Sequence, residues 1–180
     1  MKEQLEIKIT TFNNRLKGPT FEIELNGKIL DKQINYLSDT YNNCFDILSE
    51  SKNKLVIRHS NKTPKDTLVQ DGKVVADVAI RLDHLKFNNI SCHPVDLHEN
   101  FFYPENWKYE VEDKIKNNLY FGFNGRYEYC FESPVTKYVL AQHKKHSKDD
   151  FVLEQLDKYS DEKFVKLLKH HIEVESKNFL

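Results

Sequence analysis

The sequence is poor in the residues and motifs that most recognisable enzyme sites need. Its 180 residues include five glycines, and none lies in a phosphate-binding GxGxxG or GxxxxGK[ST] pattern, so a glycine-rich nucleotide cradle is not expected. The motifs HExxH, GxSxG and CxxC are missing as well, which excludes the commonest zinc peptidase, serine hydrolase and paired-cysteine zinc sites. The sequence therefore predicts a protein that is not an enzyme.

Cysteine is also scarce. Cys44, Cys92 and Cys130 are an odd number of widely spaced residues, which favours reduced thiols in an intracellular setting over a disulfide framework. Cys92 and His93, with His98 nearby, are the best zinc candidates. A structural zinc site needs four ligands, so Cys130 or Asp96 would have to join them in the fold. The alternative is a buried cysteine beside two surface histidines.

Neither a charge surplus nor a long apolar run is present. The 27 basic residues face 28 acidic ones, for a net charge of -1, so the basic surface of a nucleic-acid-binding protein is not expected. No apolar run approaches the roughly 20 residues of a membrane span, and the first residues do not resemble a signal peptide. We therefore expect a soluble protein that binds neither nucleic acid nor membrane.

The first 130 or so residues carry the pattern of an all-β domain. Leu5, Ile7 and Ile9 alternate with polar residues, as in a strand with one face in a core. Asn26–Gly27 predicts a tight hairpin turn, and Asn124–Gly125 predicts another between two aromatic arms in 119–132. Residues 44–48, 55–59 and 74–87 are further strand candidates. We expect a mainly β fold, an antiparallel jelly-roll-like β-sandwich.

After residue 132 the sequence pattern changes from that of strands to that of helices. Ser133–Pro134 predicts a helix start, followed by a helix over 135–143. We expect a sandwich domain over 1–143 and a helical arm over 144–180. An apolar stripe and an apolar chain end make this arm a candidate for docking on a neighbouring subunit, through Phe164, Leu167, Leu168, Ile172, Phe179 and Leu180.

Two sets of residues are candidates for ligand binding. Asp71, Asp77 and Asp83 flank the strand predicted over 74–87 and could offer hard oxygen ligands to calcium; the alternative is that they are ordinary turn and strand-end residues. Tyr103 and Trp107 could form an aromatic platform for sugar rings. The alternative for this cluster is a small satellite core beneath a long loop.

Three stretches together resemble a known group of proteins. They are 72–86, a strand candidate that follows a turn predicted at Asp71–Gly72; 100–107, which is rich in Phe, Tyr and Pro; and 119–134, which contains the aromatic Asn124–Gly125 hairpin and ends in Ser133–Pro134. They resemble small virion proteins of tailed phages, which look like β-sandwiches related to calcium-dependent xylan-binding carbohydrate-binding modules. The resemblance spans about residues 20–143 and supports the sandwich.

This resemblance leads to two hypotheses. The first is a non-enzymatic structural or accessory protein of a tailed-phage virion, made in the host cytoplasm and anchored to other virion subunits, as a homo- or hetero-oligomer, through the C-terminal arm. No cofactor is expected in that case. The alternative is a calcium-dependent carbohydrate-binding module that uses Tyr103, Trp107 and a calcium ion.

Overall fold

The computed structural model describes residues 2–14, 16–105, 113–116 and 118–146. The chain divides into two units after His143, and both large sheets belong to the first unit, Met1–His143. Trp107 and the six arm residues expected to dock, from Phe164 to Leu180, lie outside the described residues. Their predicted roles therefore stay predictions.

The described part of the chain is built from short strands with a few helical segments. The strands are β1 (Lys2–Phe12), β2 (Thr20–Leu25), β3 (Lys28–Gln33), β4 (Thr40–Leu48), β5 (Lys52–Ser60), β6 (Leu68–Gln70), β7 (Lys73–Ala76), β8 (Ala79–Phe87), β9 (Ile90–Ser91), β10 (Phe101–Pro104), β11 (Ile115–Lys116), β12 (Tyr120–Phe121) and β13 (Gly125–Glu132). A 3₁₀ turn lies at Pro64–Asp66, and the α-helices are α1 (Pro94–Glu99) and α2 (Val135–Lys145).

The strands form two large antiparallel sheets. The first has the order β12–β8–β1–β4, with β9 paired to β8. The second has six strands in the order β11–β10–β13–β5–β2–β3. The predicted Asn26–Gly27 turn joins β2 to β3 and is confirmed, since φ is 51° at Asn26 and 82° at Gly27. Both central residues of a type I′ turn need such angles.

The core lies between the inner faces of the two sheets. Leu5, Ile7 and Ile9 of β1 are fully buried, as their alternation predicted. Phe87 of the first sheet packs on Phe131 of the second, with ring centroids 4.6 Å apart. The fold is therefore the expected β-sandwich, held by apolar side chains from both layers.

The predicted aromatic hairpin at Asn124–Gly125 is wrong. Its two arms belong to different sheets, because β12 pairs with β8 whereas β13 pairs with β5 and β10. Gly125 is the first residue of β13 and is not among the residues with positive φ. The Asn124 side chain instead joins two loops, accepting a hydrogen bond from Lys62 N and donating one to Lys62 O, each at 2.8 Å.

The single strand predicted over 74–87 is also wrong, since the structure divides it into β7 and β8. Between them, the Asp77 carboxylate accepts a hydrogen bond from its neighbour's backbone, Val78 N, at 3.0 Å. This local bond and the side-chain partners of Asp77 turn the chain away from strand pairing. The predicted Asp71–Gly72 turn is confirmed and joins β6 to β7, with φ of 51° and 73°.

A residue far away in sequence accepts a hydrogen bond from the first turn of α2. The buried Glu3 carboxylate accepts a hydrogen bond from Val135 N at 3.0 Å, so β1 supplies an acceptor for one of the helix's free N–H groups. Within the ranges that the structure describes, no helix has the length and apolar character needed to cross a membrane.

Candidate functional site

The outer face of the six-stranded sheet carries an ordered set of charged and aromatic side chains. Alternation along β13 directs Tyr127 and Tyr129 into the core and leaves Arg126 and Glu128 on the outside. Arg126 lies directly opposite Arg58 of β5 and directly opposite Tyr103 of β10. One row across the sheet therefore contains an aromatic ring and two guanidinium groups, on strands about 4.8 Å apart.

A single carboxylate joins the two arginines. Nη1 of Arg58 lies 2.6 Å from both oxygens of Glu105, and Nη1 of Arg126 lies 2.6 Å from its Oε1. Nε of Arg126 also donates to Glu128 at 2.8 Å, and Lys54 lies 3.6 Å from the same Glu128 oxygen. Charge-assisted hydrogen bonds of this length fix the orientation of both guanidinium planes.

The ionisation of this cluster is well defined. Partial burial of Glu105 opposes its ionisation, but the hydrogen bonds from Arg126 and Arg58 outweigh burial and hold the pKa of its carboxyl below the usual value. Hydrogen bonds to Glu128 and Glu105 raise the pKa of Arg126. Both shifts favour the charged forms of Glu105 and Arg126.

Two aromatic rings extend the row towards the sheet edge. Phe101 and Tyr103 lie on the outer face of β10, with ring centroids 6.2 Å apart. The Arg126 guanidinium lies 5.0 Å from the centre of the Tyr103 ring. Lys114 and Lys116 place their ammonium groups 4.8 and 5.3 Å from the centre of the Phe101 ring. Each ring on this face therefore has a cation within cation–π distance.

A shallow depression continues the face past Glu128 towards α2. It has a volume of about 410 Å³ and is open to solvent. Amide, ammonium, carboxylate and phenol groups belong to the residues that line it, which are Asn26, Lys52, Asn53, Lys54, Cys130, Phe131, Glu132 and Tyr138. Polar groups of these kinds can orient a polar organic ligand.

The structure describes one of the two residues predicted to bind carbohydrate. Tyr103 is part of the outer face, whereas Trp107 lies outside the described residues. Sequence reasoning missed Arg58 and Arg126, which are 68 positions apart and meet only through the register of β5 with β13. The sequence did contain a signal for each arginine alone, because each one stands at a position of its strand that faces away from the core.

The predicted calcium ligands have separate partners. The buried Lys62 ammonium lies 2.6 Å from Asp77 Oδ1 and 2.6 Å from the Gly122 carbonyl oxygen. Thr67 and Tyr120 also donate hydrogen bonds to the Asp77 carboxylate, at 2.6 and 2.8 Å. The Lys62 ammonium is thus the cation that pairs with this carboxylate.

The other two aspartates lie apart from Asp77. Asp83 accepts hydrogen bonds from Thr10 at 2.7 Å and from Arg81 at 2.9 Å, and Asp71 is an exposed residue of the β6–β7 turn. Among the described residues, the carboxylates of the three aspartates do not form a group whose oxygens lie within 4.8 Å of one another.

Cys92 and His93, two of the zinc candidates, make hydrogen bonds within the fold. Cys92 is buried, and Tyr129 donates a hydrogen bond to its sulfur at 3.4 Å. Burial raises the pKa of the Cys92 thiol to about 12, so this thiol is not a nucleophile at neutral pH. His93 accepts a hydrogen bond from Val95 N at the start of α1, at 3.1 Å. Cys130 is exposed on the outer face.

Comparisons with known proteins give structural similarity alone. No protein-family model and no curated protein matches the chain. One solved structure, the module vCBM60 in complex with galactobiose, is 8% identical, with a TM-score of 0.45 over 70% of this chain and 96% of that one. A second structure of vCBM60, described as a calcium-dependent carbohydrate-binding module, is 9% identical, with a TM-score of 0.44 over 71% and 89% of the two chains.

Proposed function

We propose that this protein is a non-catalytic module that binds carbohydrate on the outer face of its six-stranded sheet. The observation that carries the proposal is the row formed by Tyr103, Arg126 and Arg58. A sugar presents a C–H face that packs on an aromatic ring and a rim of hydroxyl groups that need donors and acceptors. Tyr103 offers the ring, and the arginines with Glu128 offer the donors and acceptors.

Preorganisation supports the same proposal. Glu105 and Glu128 hold the guanidinium groups in place, so these donors lose little conformational freedom when a ligand binds. The adjoining depression of about 410 Å³ lengthens the surface along β13, which suits a chain of sugar units better than a single one. The buried thiol of Cys92 gives no support to covalent catalysis.

Of the two functions expected from the sequence, the carbohydrate-binding module is the one for which the described residues offer a surface. The virion role stays a prediction, because it depends on the arm beyond residue 146.

Affinity electrophoresis in gels that contain neutral and acidic plant or bacterial polysaccharides tests the proposal. We expect retardation by at least one polysaccharide, and loss of that retardation in Tyr103→Ala. Tyr120→Ala is the matched control, since Tyr120 is 40% exposed and lies on the other sheet. Migration unchanged by every polysaccharide, or binding that Tyr103→Ala retains, would contradict the proposal.

A further inference from the structure

The two arginines of the outer face occupy positions that require an anion. Arg58 and Arg126 lie directly opposite each other on β5 and β13, and like charges in such pairs destabilise a sheet. Both guanidinium groups converge on Glu105, which follows β10 and is held there by a backbone hydrogen bond from Glu105 N to Asn124 O at 2.8 Å. The two guanidinium groups are therefore arranged around the carboxylate of Glu105.

Glu105 leaves part of the donor set open. A guanidinium has five N–H donors, but the hydrogen bonds of Arg58 to the described residues use Nη1 alone, and those of Arg126 use Nη1 and Nε. Both side chains are 35% exposed. The remaining donors are thus accessible to a second carboxylate, for which the planar guanidinium is the preferred partner in proteins.

The local charge favours an anionic ligand. Groups that contact the two aromatic rings or the arginine pair include four cations and two carboxylates, whereas the whole chain carries a net charge of -1. The cations are Lys114, Lys116, Arg58 and Arg126, and the carboxylates are Glu105 and Glu128. A locally positive surface on a nearly neutral protein attracts and orients anions.

We infer that the ligand of this face is an acidic polysaccharide that contains uronic acid units. The uronate carboxylate takes the open donors of Arg58 and Arg126, while the sugar ring packs against Tyr103. Glu105 acts as a positioning residue, because it orients both guanidinium groups without needing to contact the ligand. This inference rests on the proposed function and names the ligand class of the same site.

A pair of ligands that differ only in charge tests the inference. Polygalacturonate and its fully methyl-esterified form share the same rings and linkages, but the ester lacks the carboxylates. In isothermal titration with the full chain in about 150 mM salt, where the Debye length is about 8 Å, we expect the acid form to bind at least about tenfold more tightly than the ester.

Arginine variants assign the preference to this pair. The double variant Arg58→Gln/Arg126→Gln is expected to bind the acid form no more tightly than the ester, while it keeps its affinity for the ester through Tyr103. Arg81→Gln is the matched control, since Arg81 is 51% exposed, also pairs with a carboxylate and lies on the other sheet. Should the double variant fail to fold in circular dichroism, the comparison of acid and ester with the unmodified chain still decides the question.

The outcomes separate this inference from the proposed function. Equal binding of acid and ester, or binding of neutral polysaccharides alone, overturns the uronate inference and leaves carbohydrate binding in place. Binding of inorganic polyphosphate as tightly as polygalacturonate also overturns it, because charge alone would then explain the affinity. If neither these ligands nor any neutral polysaccharide binds, both the inference and the proposed function are wrong.

Discussion

Mild acid should destabilise the fold through one buried histidine. His59 of β5 is fully buried, and its Nδ1 lies 2.9 Å from the Phe123 carbonyl oxygen. As the carbonyl can only accept, Nδ1 carries the hydrogen, and Nε2 has no hydrogen-bond partner among the described residues. Protonation would place a second N–H in the core without an acceptor.

The magnitude follows from the pKa of this histidine. Burial is the largest influence and lowers the pKa of His59 from 6.5 to about 4; the Phe123 carbonyl and Asp77 oppose this, and the cations Lys62 and Lys17 assist it. Between these two pH values the unfolded chain binds a proton that the folded chain does not, so stability falls as pH falls from 6.5 towards 4. The loss is about 2 kcal/mol by pH 5 and about 3 kcal/mol in full.

Urea denaturation at pH 7, 6 and 5 measures this loss. The variant His59→Asn keeps an N–H donor near the Nδ1 position but cannot be protonated, so its free energy of unfolding should change less over this range. On going from pH 7 to pH 5, the free energy of unfolding of the unmodified chain should fall by about 2 kcal/mol relative to that of the variant. His98→Gln, at a partly exposed position in α1, is the control for removal of a histidine outside the core. A pH-independent difference between the unmodified chain and His59→Asn would refute the reasoning.

Three further changes probe other contacts, each by urea denaturation at pH 7. Gly125→Ala should cost about 1–3 kcal/mol, because a Cβ there would lie 2.6 Å from the Phe102 ring; an unchanged midpoint would contradict the packing. Glu3→Ala should cost about 1 kcal/mol, since α2 loses an N-terminal acceptor, and Glu3→Gln should cost less. Lys62→Met should cost about 3 kcal/mol, because it leaves the partly buried Asp77 carboxylate without a cation; a loss below about 1 kcal/mol would contradict this.

Local sequence signals predicted those elements whose partners are close in the chain. Asn26–Gly27 and Asn124–Gly125 are the same dipeptide between alternating strands, yet the first forms a hairpin turn and the second crosses between sheets. The difference comes from distant strands. β12, which precedes Asn124, pairs with β8, whereas β13, which follows it, pairs with β5. Hydrophobic alternation predicts which face of a strand is buried, but it does not predict which strand it pairs with.

The candidate site was predictable only in part for the same reason. The partly exposed position of Tyr103 can be recognised in the sequence, because it depends on one residue and its immediate neighbours. The arginine pair and Glu105 depend on the alignment of three strands, β5, β10 and β13, that are separated by long stretches of chain. Likewise, the partner of Asp77 is Lys62 rather than another aspartate, and only the folded chain places them 2.6 Å apart.

The Lys62–Asp77 pair has a thermodynamic consequence. A metal ion held by Asp77 and the Gly122 carbonyl would be governed by mass action, so the stability of this junction would follow the concentration of the free ion and the presence of chelators. The ammonium of Lys62 is covalently part of the chain and contacts the same two oxygens. Its occupancy is therefore set by folding alone, and dilution cannot release it.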